Sequence, residues 1–308
     1  MRTILSLIAA GVLLTATGCS DDGGGGSPGG GPKVVASTTQ VADMAANVAG
    51  DRAEVLGILD ANSDPHDYEP KPSDAEALAD ADLVLESGGD LDLWMGDIVE
   101  GSGADAPVTV LIDSTETIAG EDETDPHWWQ DPRNAVRAVE EIRDQLIAID
   151  PDGLATYERN ADRYADRIED LDREIAACLD RVPVAERKLV TSHDALGYYA
   201  SRYGIDAIGS TIPALTTQAQ PSGGETAQLV ELIRSQHVNA VFPEAGVSPE
   251  LEQAVSEETG AEIGGELYAD TLGPSDSAGA TYLGALAANT DALVDGFTGG
   301  RVDCELAG

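Results

Sequence analysis

Positive charge is what this sequence most lacks. Its 308 residues contain 17 Lys and Arg against 57 Asp and Glu, a formal net charge of −40 with histidine neutral. A nucleic-acid reader needs a basic face to meet phosphates, so that class is excluded as the default. Docking on an anionic membrane through a basic patch is disfavoured for the same reason. A cation partner is compatible with this charge, but a cation site needs placed donors and not merely a negative field. Taken alone, the acidity describes a highly solvated surface suited to salty surroundings. Long apolar runs are equally scarce. The one near the start, Ile4–Ala16, is too short for a mature membrane helix, which takes roughly 20 apolar residues. Cysteine occurs three times and histidine four times, so each instance can be weighed by its own setting.

What is present is a globular composition, 42% hydrophobic, and enough length for two lobes of ordinary size. Met1-Arg2-Thr3, the apolar run and Thr17-Gly18 read together as a secretory signal. Cys19 directly after Gly18 resembles a bacterial lipobox, with Ala16 where such motifs usually carry Leu. The expectation is cleavage before Cys19, lipidation of that residue and extracytoplasmic attachment to the cell membrane. The alternative is an ordinary cleaved signal with a leftover cysteine. Residues 20–32, mostly glycine, then form a tether. In an oxidising compartment the remaining pair, Cys178 and Cys304, is free to form a disulfide, though sequence cannot show that the two meet.

From Lys33 onward, strand-like and helix-like pieces alternate. Lys33–Ser37, Ala53–Leu59, Asp82–Glu86 and Val108–Asp113 read as strands of a first lobe. Ser73-Asp74-Ala75-Glu76 reads as a capping box, and Asp131-Pro132 as the start of a helix reaching Ile149. Lys188–Thr191, Ala207–Ile208, Val238–Phe242 and Ala261–Gly264 repeat the pattern. Such alternation predicts an α/β fold with parallel sheets covered by helices. Between the halves, Leu154, Tyr157, Ala161, Tyr164, Ile168, Leu171, Ile175 and Cys178 step by three and four. This stripe predicts a rod of ~35–40 Å, a spine running along two lobes. A coiled-coil oligomer is the competing reading of the stripe, but its length does not require one, and a monomer is expected. The expected division is a first lobe over 33–150, a linking helix over 151–182 and a second lobe over 183–308.

Three of the four histidines, His66, His127 and His193, read as lying after the carboxyl ends of their strands, the edge where open α/β sheets bind ligands. Each has an acid within two residues that could orient its ring. Any one alone reads as a surface or hydrogen-bonded histidine; three at one edge read as a site. His237, at the other end of its strand–helix unit, reads as structural. Asp270 follows the strand near Ala261–Gly264 and supplies a fourth donor at the same edge. Glu244 also follows a strand, as a supporting or lobe-contact residue. Three imidazoles and a carboxylate suit Zn²⁺ best and Mn²⁺ less well.

The phrases DPHDYEP, DPHWWQDP, VTSHDALGYYA and GGELYADTLG, in this order, resemble the signature stretches of solute receptors for zinc and manganese ABC importers. The zinc-uptake complex component A type is the nearest, over about residues 33–300. The resemblance implies two lobes joined by a rigid long helix, with metal in the interlobe cleft. It places the ligands at His66, His127, His193 and Asp270, the first two from the first lobe and the others from the second. It also implies a permease and its ATPase as partners, and a transported ion rather than a catalytic one. Manganese-selective members usually carry a carboxylate at the third position, so His193 favours zinc. Many zinc members carry a long His-rich loop, whereas Gly120–Thr124 is short and acidic. The rivals are a manganese-specific receptor or adhesin, a plain zinc store, and a secreted zinc hydrolase. Four protein ligands and the absence of an HExxH helix argue against the hydrolase.

Overall fold

The computed structural model describes residues 30–119, 124–304, 306 and 308. The signal segment, Cys19, most of the tether and residues 120–123 of the acidic stretch lie outside the described residues.

Four short parallel strands build the first lobe: β1 (Lys33–Ala36), β2 (Glu54–Gly57), β3 (Leu83–Glu86) and β4 (Val108–Val110), in the order β2-β1-β3-β4. β1 is buried along most of its length and β3 almost throughout, as central strands covered on both faces must be. The crossovers are α1 (Thr39–Ala49), α2 (Pro72–Ala79) and α3 (Trp94–Ser102). The Thr38 side chain caps α1 by accepting the Val41 N–H. The capping box expected at Ser73 and Glu76 is not used. Pro72 opens α2 instead, and the Asp74 carboxylate accepts the Lys71 N–H at 2.7 Å. α4 (Pro132–Ile149) begins where Asp131-Pro132 predicts, with Asp131 accepting the Arg133 N–H.

α5 (Leu154–Leu179) is a single 26-residue helix, ~39 Å long at 1.5 Å per residue. Its buried stripe runs from Tyr157 to Cys178. Leu154, placed in that stripe by its spacing, lies at the helix start and is 44% exposed.

The second lobe repeats the first lobe's strand order. Its strands are β5 (Lys188–Thr191), β6 (Asp206–Ser210), β7 (Ala240–Val241) and β8 (Glu262–Ile263). β5 pairs with β6 and β7 with β8, all parallel, and the Phe242 N–H donates to the Val190 carbonyl between the two pairs. Its helices are α6 (Gly197–Tyr203), α7 (Gly223–Gln236), α8 (Glu250–Thr259) and α9 (Tyr282–Thr298). α7 starts at Gly223, where Ser222 and Glu225 form a reciprocal capping box. His237 ends that helix in the left-handed region, at φ 55°, and is not among the clustered donors. α4, α5 and α9 pack into one apolar core that includes Val34 and Leu85 of the first lobe and Tyr199, Phe242 and Phe297 of the second. No described helix is long and apolar enough to cross a membrane.

Candidate metal centre

Each candidate donor arrives on a turn at a strand end or helix start. His66 lies in the short helical turn Pro65–Asp67 that follows β2. Asp64 begins this turn by accepting the His66 N–H at 2.9 Å. His127 precedes the turn Trp128–Gln130, which leads into α4. His193 follows β5, where the Thr191 hydroxyl donates to its carbonyl at 2.7 Å. Asp270 lies between β8 and α9.

These four side chains meet. Each offers one atom, and the four atoms lie within 4.8 Å of one another. Asp270 Oδ2 is 3.3 Å from His66 Nε2 and 3.0 Å from His193 Nε2, and Asp270 Oδ1 is 3.4 Å from His127 Nε2. The Nε2 atoms of His127 and His193 are 3.3 Å apart. His127 and His193 are wholly buried, Asp270 nearly so, and the His66 side chain is only 5% exposed. His66 Nε2 and both Asp270 oxygens have no hydrogen-bond partner. Buried polar atoms are normally paired, so a cluster of unsatisfied donors facing one point calls for a cation there.

The acids within two residues of each histidine perform as expected only once. Asp125 Oδ1 lies 2.7 Å from His127 Nδ1 and also accepts the His127 N–H. Beside His66, Asp64 is spent on the backbone and on Thr217, and Asp67 faces Gln218. Asp194 turns away from His193 and accepts the Ser210 hydroxyl. The ring of His193 is held instead by Glu244, 51 residues along the chain, at 2.6 Å from Nδ1. Occupying Nδ1 in this way aims Nε2 of both buried rings into the site.

Burial alone would push the Asp270 carboxyl upward, but the imidazoles of His193 and His127 hold it well below the usual carboxylate range. Burial alone would likewise lower His193. The facing carboxylates of Glu244 and Asp270 outweigh it and raise the imidazole well above its ordinary value.

A family profile, the periplasmic zinc-uptake complex component A, matches residues 34–296. The chain belongs to this family, the solute-binding proteins of ABC metal importers. It is 32% identical over 297 residues to the manganese-binding lipoprotein MntA of Halalkalibacterium halodurans, covering 96% of each chain. It is 33% identical over 270 residues to the iron-binding protein YfeA of Yersinia pestis, covering 86% of each. Among solved structures, the periplasmic zinc-binding protein TroA of Treponema pallidum superposes with a TM-score of 0.81. The identity is 25%, over 87% of this chain and 99% of that one.

Proposed function

We propose that this receptor captures Zn²⁺ in preference to Mn²⁺ through His66, His127, His193 and Asp270, and delivers it to a membrane permease powered by an ATPase. The observation carrying this reading is the convergence of one atom from each of the four side chains within 4.8 Å of one another, with four of the contacts at 3.0–3.4 Å. Zinc bonds of roughly 2.0–2.1 Å place tetrahedral donors ~3.3–3.4 Å apart. Four protein donors fill that tetrahedron and leave no position for a reacting water, so the ion is cargo and the protein is not an enzyme. The manganese reading draws on the names of relatives such as MntA. It is disfavoured by three nitrogen donors, which suit a borderline ion better than a hard one.

The protein is extracytoplasmic in this proposal. Cys19 carries the lipid, residues 20–32 tether the body to the membrane, and the receptor acts as a monomer. The first lobe extends over 33–150, the linking helix over 151–182 and the second lobe over 183–308. Cys178 and Cys304, whose Cα atoms lie 5.9 Å apart, form a disulfide joining the end of the spine to the C-terminal segment.

The decisive experiment is elemental analysis of protein purified without added metal, paired with competition between Zn²⁺ and Mn²⁺ on the metal-free chain. One zinc per chain, retained against excess manganese, is expected. Retention of manganese against zinc would reverse the assignment.

A further inference from the structure

Asp270 differs from its partners in the way it is held. His127 and His193 each have a carboxylate behind the ring, whereas both Asp270 oxygens point into the site without a hydrogen bond. The position of this donor is therefore set by its backbone. That backbone changes allegiance over two residues. The Leu267 N–H donates to the Pro243 carbonyl, and the Tyr268 N–H and carbonyl pair with the Asn289 side chain, all within the second lobe. At Ala269 and Leu272 the partners belong to the first lobe. The Ala269 carbonyl accepts from Gln130 Nε2 at 2.8 Å, from Trp129 Nε1 at 3.0 Å and from Gln40 Nε2 at 3.5 Å. The Leu272 N–H donates to Thr39 Oγ1, and the Leu272 carbonyl accepts the Asn62 N–H.

We infer that Gln130, with Trp129 and Gln40, is the positioning residue for Asp270, and that this donor is carried by the first lobe although it lies in the second half of the chain. The inference rests on the metal-site reading above and adds to it the means by which the carboxylate is placed. Three donors converge on a carbonyl oxygen that has two lone pairs, and all three side chains are at least 98% buried. Buried hydrogen bonds of this kind leave the carbonyl little room to shift. Trp129 is fixed in turn, because the Tyr282 hydroxyl donates to its carbonyl at 2.6 Å. A ligand one residue beyond such an anchor holds its place to a fraction of an ångström, as a coordination sphere demands. Three of the four donors, His66, His127 and Asp270, then sit on one lobe. His193, backed by Glu244, is the single donor brought by the other.

The test is a double-substitution cycle read as zinc affinity by chelator competition on the full chain. Gln130→Met keeps the volume and removes the donor; Trp129→Phe keeps an aromatic ring and removes the indole N–H. Each is expected to weaken zinc binding roughly tenfold in the parent, the scale of one lost buried hydrogen bond. In an Asp270→Ala background, Gln130→Met should change affinity by less than about twofold, because the carboxylate it positions is gone. A purely structural role would weaken both backgrounds equally, and that result overturns the inference. So does unchanged affinity of both variants in a parent that binds zinc and loses affinity on Asp270→Ala. If the site reading itself is wrong, the parent binds no zinc, and the inference falls with it.

Discussion

Glu244 grips His193 at two points. Its Oε1 accepts the His193 N–H at 3.1 Å and its Oε2 lies 2.6 Å from the ring Nδ1. One carboxylate thus fixes both the backbone and the ring tautomer of this candidate donor. Substituting Glu244→Gln preserves the shape and removes the charge that stabilises Nδ1–H. Zinc affinity should fall about 10- to 100-fold, the usual range for a residue behind a metal-binding histidine. Calorimetry showing affinity within twofold of the parent would remove Glu244 from this role.

His127 makes the corresponding test of the donor set. With its ring wholly buried and its Nε2 beside Asp270, His127→Ala should abolish stoichiometric zinc binding under conditions that saturate the parent. Zinc content measured after gel filtration checks this; one zinc per chain in the variant would exclude His127 as a ligand.

Acidification should release the metal. In the metal-free protein the Glu244 and Asp270 carboxylates stabilise the His193 imidazolium, raising its pKa despite burial. Zinc needs the neutral ring, so binding expels a proton, and each step down in pH favours the protonated, metal-free form. Apparent zinc affinity should drop at least roughly tenfold between pH 7.5 and pH 5. A flat profile across this range contradicts the proposed ligands.

Glu86, at the end of β3, carries a second pH signature, separate from metal. Burial, reinforced by the nearby Asp92 charge, pushes its carboxyl up to about 7. The unfolded chain ionises this group first, so its contribution to stability is complete below the ordinary glutamate value and is lost as pH rises through about 7. Glu86→Gln removes the loss. We expect urea denaturation at pH 8 to show a gain of about 1 kcal/mol, allowing for the solvent that reaches this half-buried group, and a smaller gain at pH 5. Equal effects at both pH values would contradict the linkage.

The proposed Cys178–Cys304 disulfide would close 126 residues of chain. Chain-entropy arguments assign such a closure about 2–5 kcal/mol. Cys304→Ser, or reduction of the parent, should lower the thermal midpoint by several degrees without changing zinc stoichiometry. Identical melting under oxidising and reducing conditions would mean that the thiols are free.

The features legible in the sequence were those with a local period or a local cap. The three-and-four stepping from Tyr157 to Cys178 marks α5 because a helix buries one face, and Asp131-Pro132 marks the start of α4. The four candidate donors could be picked out because strand ends in an alternating fold share one edge, and the structure brings their side chains together. What escaped depends on pairings across the chain. Glu244 reads from the sequence as a supporting residue at this edge, but nothing near His193 assigns it to that ring, and Asp194, the acid next in sequence, serves Ser210 instead. The convergence of Gln40, Trp129 and Gln130 on Ala269 spans more than 130 residues and leaves no periodic trace. α3 was missed for a more local reason: Trp94–Ser102 holds two glycines and neither a side-chain N-cap nor a sustained stripe.

The apolar interior does not stop at the cleft. Residues from β1, α4, α5, α6 and α9 belong to one continuous cluster, so prising the halves widely apart would wet side chains at about 25 cal/mol for every Å² exposed. The shared interior thus sets a cost on separating the halves that rises with every side chain it wets, while a shift of one imidazole by about an ångström is enough to spoil a coordination sphere with bonds of about 2 Å.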